Sequence, residues 1–168
     1  MATTSSWALR SLSEADREAY HHFLARGAVD HPERLRFSTP DLVSLPYGTS
    51  SSDDAVTLLA VQGDSWLGVG TVERELGRQK RRHIAWILRM YVAQPGDGIG
   101  RALLRALKAH AAQMEGVEKL NLTVVADNHS AIRLYESEGF ATFSREAQAL
   151  KVGGRWIEEL SMSCPLGS

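Results

Sequence analysis

The chain has 168 residues, 43% hydrophobic and 23% charged, a composition typical of one globular domain with a substantial core. Its formal net charge of −1 gives no electrostatic reason to expect a nucleic-acid partner, and the single cysteine, Cys164, excludes an internal disulfide and a cysteine-rich metal site. No apolar run has the length of a signal peptide or a membrane span. We therefore expect one cytoplasmic domain over residues 1–168, with no metal ion and no membrane partner.

The first predicted elements are a short strand and a helix. Trp7–Leu12 suits a strand. Ser13 followed three residues later by Asp16 is a helix-capping pattern, which predicts a helix from Glu14 to about Arg26, ended by Gly27.

The next stretch, Asp30–Asp54, is predicted to be mostly irregular, because it contains three prolines and the low-complexity run GTSSSDD. Short helical turns are predicted at Arg34–Phe37 and Pro40–Leu45. Long loops of this kind often form one wall of a substrate site, and just as often they only connect elements.

From Ala55 the hydrophobic period becomes that of a sheet. Val56–Val61 and Trp66–Arg74 flank the turn signal Gly63-Asp64 and predict a β-hairpin. Leu76–Lys80 predicts a second turn. The next segment, Ile84–Val92, is apolar on both alternating faces, which is typical of a central strand covered on both sides.

A glycine-rich turn and an amphipathic helix follow the central strand. Apolar residues recur at three- and four-residue steps from Ile99 to Met114 and predict a helix of about five turns. Gly96, Gly98 and Gly100 precede or open this helix, where unpaired amide groups and the helix dipole favour an anion such as phosphate. Glycines there can equally serve backbone geometry alone.

The C-terminal third predicts a strand, a helix and a hairpin. The strand after the long helix should lie parallel to the central strand, because such crossovers are right-handed βαβ units. The fold class expected is therefore α/β of the α+β type, a mixed, mostly antiparallel sheet of about six to seven strands with one central parallel βαβ unit and helices on both faces. The predicted bounds are Lys119–Ala126 for the strand, Ser130–Ser137 for the helix capped by Asp127 or Asn128 and ended at Gly139, and Phe140–Val152 and Arg155–Cys164 for the hairpin around Gly153-Gly154.

With these pieces placed, the sequence from about Trp7 to Cys164 resembles the GCN5-related N-acetyltransferase (GNAT) superfamily. The segment MYV followed by GDGIGRALL is similar to the family's acetyl-coenzyme A signature. A second segment matches the family's Asn-x-x-Ala-x-x-Leu-Tyr-x-x-x-Gly-Phe box at every fixed position, from Asn128 to Phe140. The resemblance implies an acetyl-CoA-dependent N-acetyltransferase in which a primary amine of a small molecule or peptide attacks the thioester directly.

The resemblance also implies a role for particular residues. Tyr135 would donate a proton to the departing sulfur, the Val92 N–H would bind the developing oxyanion, and Asn128 would bind the pantetheine arm between the two splayed parallel strands. The cofactor-binding residues implied are Met90, Tyr91, Val92, Gly96, Asp97, Gly98, Ile99, Gly100, Arg101, Asn128, Ala131 and Tyr135.

Two departures from the family pattern affect the expected site. The glycine turn is about two residues shorter than usual, so Pro95 stands where the family places Arg or Gln, and Arg101 is the residue expected to compensate. Trp86 stands where many members carry a glutamate that serves as the general base. Replacement bases proposed from the sequence are Glu73, Glu75 and His83, or no protein base at all.

Two other functions fit parts of the sequence. A degenerate acetyltransferase that senses acyl-CoA would also tolerate Trp86. An S-adenosylmethionine or dinucleotide binder would use the glycines with Asp127, but a third glycine is missing at Arg101 and only about 40 residues follow Asp127, too few for a doubly wound sheet. The acceptor amine and the formation of a homodimer are left open by the sequence.

Overall fold

In a computed structural model, which describes residues 6–43 and 52–167, the chain forms one seven-stranded sheet and three α-helices. The strands are β1 (Ala8–Ser11), β2 (Ala55–Gln62), β3 (Ser65–Arg74), β4 (Ile84–Val92), β5 (Lys119–Val125), β6 (Ala141–Val152) and β7 (Arg155–Pro165). The α-helices are α1 (Arg17–Asp30), α2 (Ile99–Ala111) and α3 (His129–Ser137), and three short 3₁₀ helices lie at Glu14–Asp16, Pro40–Val43 and Gln79–Arg81.

The strand order is β1-β2-β3-β4-β5-β7-β6, and every neighbouring pair is antiparallel except β4 and β5. The predicted fold class and its central parallel unit are therefore confirmed. β4 and β5 pair only where Ile84–Trp86 meets Lys119–Asn121, so beyond Trp86 the two parallel strands separate. This separation opens a gap in the middle of the sheet.

The helices cover both faces of the sheet, as predicted. On one face, α1 buries Tyr20 and Leu24 against Val69 and Tyr91. On the other face, α2 and α3 bury a larger cluster against β4, β5 and β7. Gly70 of β3 permits the close approach of α2, because a Cβ atom there would lie 2.9 Å from Leu107.

One helix boundary was predicted wrongly. Gly27 does not end the first helix, which continues to Asp30. Its missing side chain serves packing instead, because a Cβ atom at Gly27 would lie 2.8 Å from the Tyr91 ring. The predicted capping pattern at the other end is present, since the Asp16 carboxylate accepts hydrogen bonds from the backbone and hydroxyl of Ser13.

Three smaller predictions need correction or completion. α2 has 13 residues, fewer than four turns, because the chain after Ala111 closes in tight turns such as Met114 N–H to Ala111 O. Arg34–Phe37 forms no helix, whereas Pro40–Val43 forms a 3₁₀ helix. The rest of the predicted helical turn, including Leu45, lies outside the described residues.

None of the helices in the described part of the chain has both the length and the apolar character that a membrane crossing requires.

β4 contains a bulge where it separates from β5. Val69 of β3 pairs with Tyr91 and Thr71 pairs with Leu88, so two residues of β4, Arg89 and Met90, oppose one residue of β3. Arg89 has φ of 50°, a left-handed conformation that is uncommon for residues other than glycine. Strain of this kind persists where the surrounding structure enforces it, often beside a functional site.

Candidate active site

A cleft of about 590 Å³ occupies the gap between β4 and β5. It passes between the two faces of the sheet, because its lining includes the turn before α2 on one face and residues that follow α1 on the other. Its walls comprise the β4 segment 86–93, residues 122–124 of β5, the glycine turn, the start of α3, and residues 31 and 34–37.

The glycine turn forms one mouth of the cleft. Gly96 and Gly98 have φ of 124° and 74°, values that only glycine adopts readily, and Gly98 is the N-cap of α2. The first amide that bonds within the helix is that of Ala102, which donates to Gly98 O at 3.0 Å. The preceding amides therefore remain available to an anion at the positive end of the helix dipole.

The free edge of β4 offers backbone groups to the same cleft. The N–H of Ala93 donates to Leu67 O of β3 at 2.9 Å. Successive N–H groups of a strand point to opposite edges, so the N–H of Val92 points away from β3, toward the gap left by β5. Met90, Tyr91 and Val92 all line the cleft.

The segment from Asn128 to Phe140, which matches the family box, contributes the start of α3. The side chain of Asn128 caps this helix, since its Oδ1 accepts from Ala131 N at 3.4 Å. Asn128, Ala131 and Tyr135 line the cleft. Tyr135 is 8% exposed and packs against Phe140 with ring centroids 5.9 Å apart. Burial raises the pKa of its phenol to about 12.

Arg101 lines the cleft, and its side chain is already engaged. Its Nη1 donates to Ser137 Oγ at 3.0 Å and forms an ion pair with Glu138. Glu138 also accepts from Arg105 at 3.0 Å, and hydrogen bonds from Arg105 and Arg101 lower the pKa of this carboxyl. Asp97, by contrast, is exposed and is absent from the cleft lining, so its charge does not occupy the anion site.

The replacement bases proposed from the sequence lie away from the cleft. Glu73, Glu75 and His83 are absent from its lining, and Trp86 lies between the cleft and an adjoining hollow that Glu73 and Glu75 line. Glu75 accepts hydrogen bonds from Arg81 at 2.8 Å and from the Trp86 indole at 2.9 Å. The bond from Arg81 is the main cause that lowers the pKa of Glu75 to about 2, which makes this carboxylate a weak base.

Four lining residues with basic side chains were not identified from the sequence. His31, Arg34 and Arg36 follow α1, and Arg89 lies at the bulge of β4. A signal was present for Arg89, because it is the only charged residue in the apolar segment IAWILRMYV. Residues 31–36 carried no comparable periodic signal, because an irregular loop positions them.

Sequence comparisons assign the chain to a family. Residues 11–140 match the sequence profile of the Acetyltransferase (GNAT) family. Mycothiol acetyltransferase from Kocuria rhizophila is 36% identical over 130 residues, covering 74% of this chain and 42% of that protein. Mycothiol acetyltransferase from Kineococcus radiotolerans is 33% identical over 143 residues, covering 80% of this chain and 42% of that protein. The chain thus spans less than half the length of these curated relatives.

Solved structures share the fold. An acetyltransferase of the GNAT family from Streptococcus pneumoniae superimposes with a TM-score of 0.83 at 21% identity, covering 95% of this chain and 99% of that one. A putative acetyltransferase from Salmonella typhimurium, solved with its cofactor acetyl-CoA, superimposes with a TM-score of 0.80 at 20% identity. The match covers 96% of this chain and 95% of that one. The predicted resemblance to this family is confirmed. The chain belongs to the acetyltransferase (GNAT) family.

Proposed function

We propose that this protein transfers the acetyl group of acetyl-CoA to a primary amine of a small molecule by direct attack within the cleft between β4 and β5. The observation that carries the proposal is the separation of the two strands beyond Trp86, which places an anion-binding helix start, a free strand edge and a buried tyrosine around one cavity. The pyrophosphate would bind the amides at Gly98 and Gly100, with Arg101 beside them. The pantetheine arm would lie along Met90–Val92, near Asn128 and Ala131.

The backbone of β4 would stabilise the developing oxyanion, and Tyr135 of α3 would assist departure of the sulfur. The amine nitrogen attacks the thioester carbonyl, and the oxygen gains negative charge that the Val92 N–H stabilises. The C–S bond then breaks and the electron pair stays on sulfur, where the phenol of Tyr135 donates a hydrogen bond. The amine loses its proton to water, and the products are an N-acetyl amine and free CoA.

A protein carboxylate is not required as base in this proposal. None of the lining residues that the structure describes is Asp or Glu, and the sequence of residues 44–51, outside the described part of the chain, contains neither. Arginine side chains in the lining disfavour an ammonium ion, because like charges lower the pKa of a nearby amine. The bound amine would therefore lose its proton more readily than it does in water.

The first test is binding of acetyl-CoA, followed by thermal unfolding. Acetyl-CoA at about 100 times its Kd should stabilise the fold by roughly 2.7 kcal/mol. A second assay follows release of the CoA thiol with a panel of amines. Release that depends on an amine supports the transferase; binding without release from any amine would instead identify an acyl-CoA sensor.

S-adenosylmethionine serves as the control ligand. A melting temperature raised by S-adenosylmethionine and unmoved by millimolar acetyl-CoA would contradict the proposal. The acceptor of the curated relatives does not transfer to this chain by similarity, because the match spans less than half of those proteins. Formation of a homodimer stays a prediction, which light scattering can test.

A further inference from the structure

The charges that line the cleft are unevenly compensated. Four arginines line it: Arg34, Arg36, Arg89 and Arg101. Arg101 pairs with Glu138, and the Nε of Arg36 lies 2.6 Å from the buried carboxylate of Glu159 on β7. Among the described residues, no carboxylate forms an ion pair with Arg34 or Arg89.

Arg89 is the more constrained of these two residues. Its Nε and Nη2 are buried and have no hydrogen-bond partner among the residues that the structure describes. The guanidinium faces Tyr20 of α1: burial raises the pKa of this phenol, and the charge of Arg89 and a side-chain hydrogen bond from it lower that pKa. The guanidinium therefore belongs to the α1 face of the sheet, opposite the face that carries the glycine turn and α2.

The two unpaired arginines lie on the side where the acceptor must enter. The glycine turn takes the cofactor from the α2 face, so the acceptor reaches the thioester from the α1 face, where Arg34 and Arg89 are found. Buried guanidinium donors without a partner are costly, and a carboxylate or a phosphate satisfies them with two parallel hydrogen bonds. A purely cationic amine, such as a polyamine, would find no carboxylate there to bind it.

We infer that the acceptor is a small amine that carries its own anionic group, a carboxylate or a phosphate, which Arg89 and Arg34 bind on the α1 side of the cleft. This inference depends on the proposed acetyl transfer. The anion holds the acceptor in place, while the same positive charge favours the neutral, nucleophilic form of its amine. Arg89 and Arg34 determine acceptor specificity in this arrangement.

Matched acceptor pairs test the inference. Glycine, β-alanine and 4-aminobutyrate are each compared with their amides, O-phosphoethanolamine is compared with ethanolamine, and 1,4-diaminobutane serves as the dication. The amine of an amino-acid amide is less basic than that of the acid, so a general preference for unprotonated amines favours the amide. We expect kcat/KM to be at least about tenfold higher for one of the amino acids than for its amide, or for O-phosphoethanolamine than for ethanolamine. The pair with the larger ratio shows whether the bound anion is a carboxylate or a phosphate.

Variants then assign the preference to the two arginines. Arg89→Gln should remove most of the preference, mainly through a higher KM for the anionic acceptor. Arg34→Gln, at an exposed position outside any helix or strand, should weaken the same preference without risk to the fold. Arg17→Gln is the matched control, because Arg17 is exposed at the start of α1 and is absent from the cleft lining.

The outcomes separate this inference from the proposed function. Thiol release that is faster with amides, ethanolamine or 1,4-diaminobutane than with every anionic amine would overturn the inference and leave the transferase intact. An anionic preference that is unchanged in both the Arg89 and Arg34 variants would also overturn it. Absence of thiol release with all amines, together with no effect of acetyl-CoA on the melting temperature, would instead contradict the proposed function.

Discussion

Replacement of Tyr135 by phenylalanine isolates the phenol that we place beside the leaving sulfur. The ring packs against Phe140 and is 8% exposed, so Tyr135→Phe keeps the buried apolar surface and should leave the fold nearly unchanged. Acetyl-CoA should therefore raise the melting temperature of the variant as much as that of the parent. The change is confined to one hydroxyl in the lining of the cleft.

The magnitude of the effect follows from the pKa of this phenol. General acid catalysis typically contributes about 10²- to 10⁴-fold in rate. Burial raises the pKa of Tyr135 to about 12, whereas an ordinary thiol has a pKa near 8.5, so complete proton transfer to the thiolate is unfavourable by roughly three units. A hydrogen bond to a charged group, worth about 1.5–3 kcal/mol, remains available. We therefore expect kcat to fall about ten- to a hundredfold, at or below the lower limit of the general range.

The assay is the steady-state rate of thiol release from about pH 6 to about pH 10, a range in which a phenol of pKa about 12 stays protonated. The loss of kcat in Tyr135→Phe should be the same at each pH, because a phenol that stays protonated cannot cause a fall in kcat at alkaline pH. Full kcat in the variant would show that the tyrosine is only structural. A parent profile whose alkaline limb disappears in the variant would show that the phenol ionises in this range, contrary to the effect of its burial.

Three further perturbations test other parts of the site. Arg101→Ala should raise the KM for acetyl-CoA severalfold with little change in kcat. Arg105→Ala is the control and should leave this KM unchanged, because Arg105 pairs with the same Glu138 but lies outside the cleft lining. The same KM in the Arg101 variant as in the parent would show that Arg101 is only a surface residue. Gly27→Ala should lower the free energy of unfolding by about 1–2 kcal/mol in urea, because overpacking against Tyr91 outweighs the gain in helix propensity; a stabilised variant would refute the packing argument. In pH profiles, the acidic limb of kcat/KM should shift with the amine pKa of the acceptor and stay in place in His31→Gln; a limb that vanishes in this variant would make His31 the base.

The parts of the structure that the sequence predicted are those with local determinants. The alternation of Ile84–Val92, the helical period after Ile99 and the cap at Asn128 each lie within one element, so neighbouring residues suffice to identify them. The spacing between the glycine turn and the Asn128 box then identified the family, and the family implied the separation of β4 from β5. The side of the cleft formed by the glycine turn and α3 was predictable for this reason.

The side of the cleft that faces α1 depends on contacts between distant segments, and the sequence did not predict it. Gly27 has the appearance of a helix terminator unless Tyr91, 64 positions later, is known to pack against it. Arg36 has the appearance of an exposed loop residue unless Glu159 of β7 is known to lie 2.6 Å away. Glu73 and Glu75 were plausible bases on strand order alone, but they line a hollow that adjoins the cleft at Trp86, and His83 is absent from the cleft lining.

The bulge in β4 would connect the absence of a glutamate at position 86 to the choice of acceptor that we infer. One extra residue between Leu88 and Tyr91 places Arg89 in a left-handed conformation, with buried donors on the α1 face. Trp86 carries no charge, and among the described residues no carboxylate forms an ion pair with Arg89. A positive site of this kind would repel a protonated amine and attract an anion, so the acceptor itself would supply the negative charge that the protein lacks. The substitution at position 86 would then mark a change in the substrate rather than a loss of catalysis.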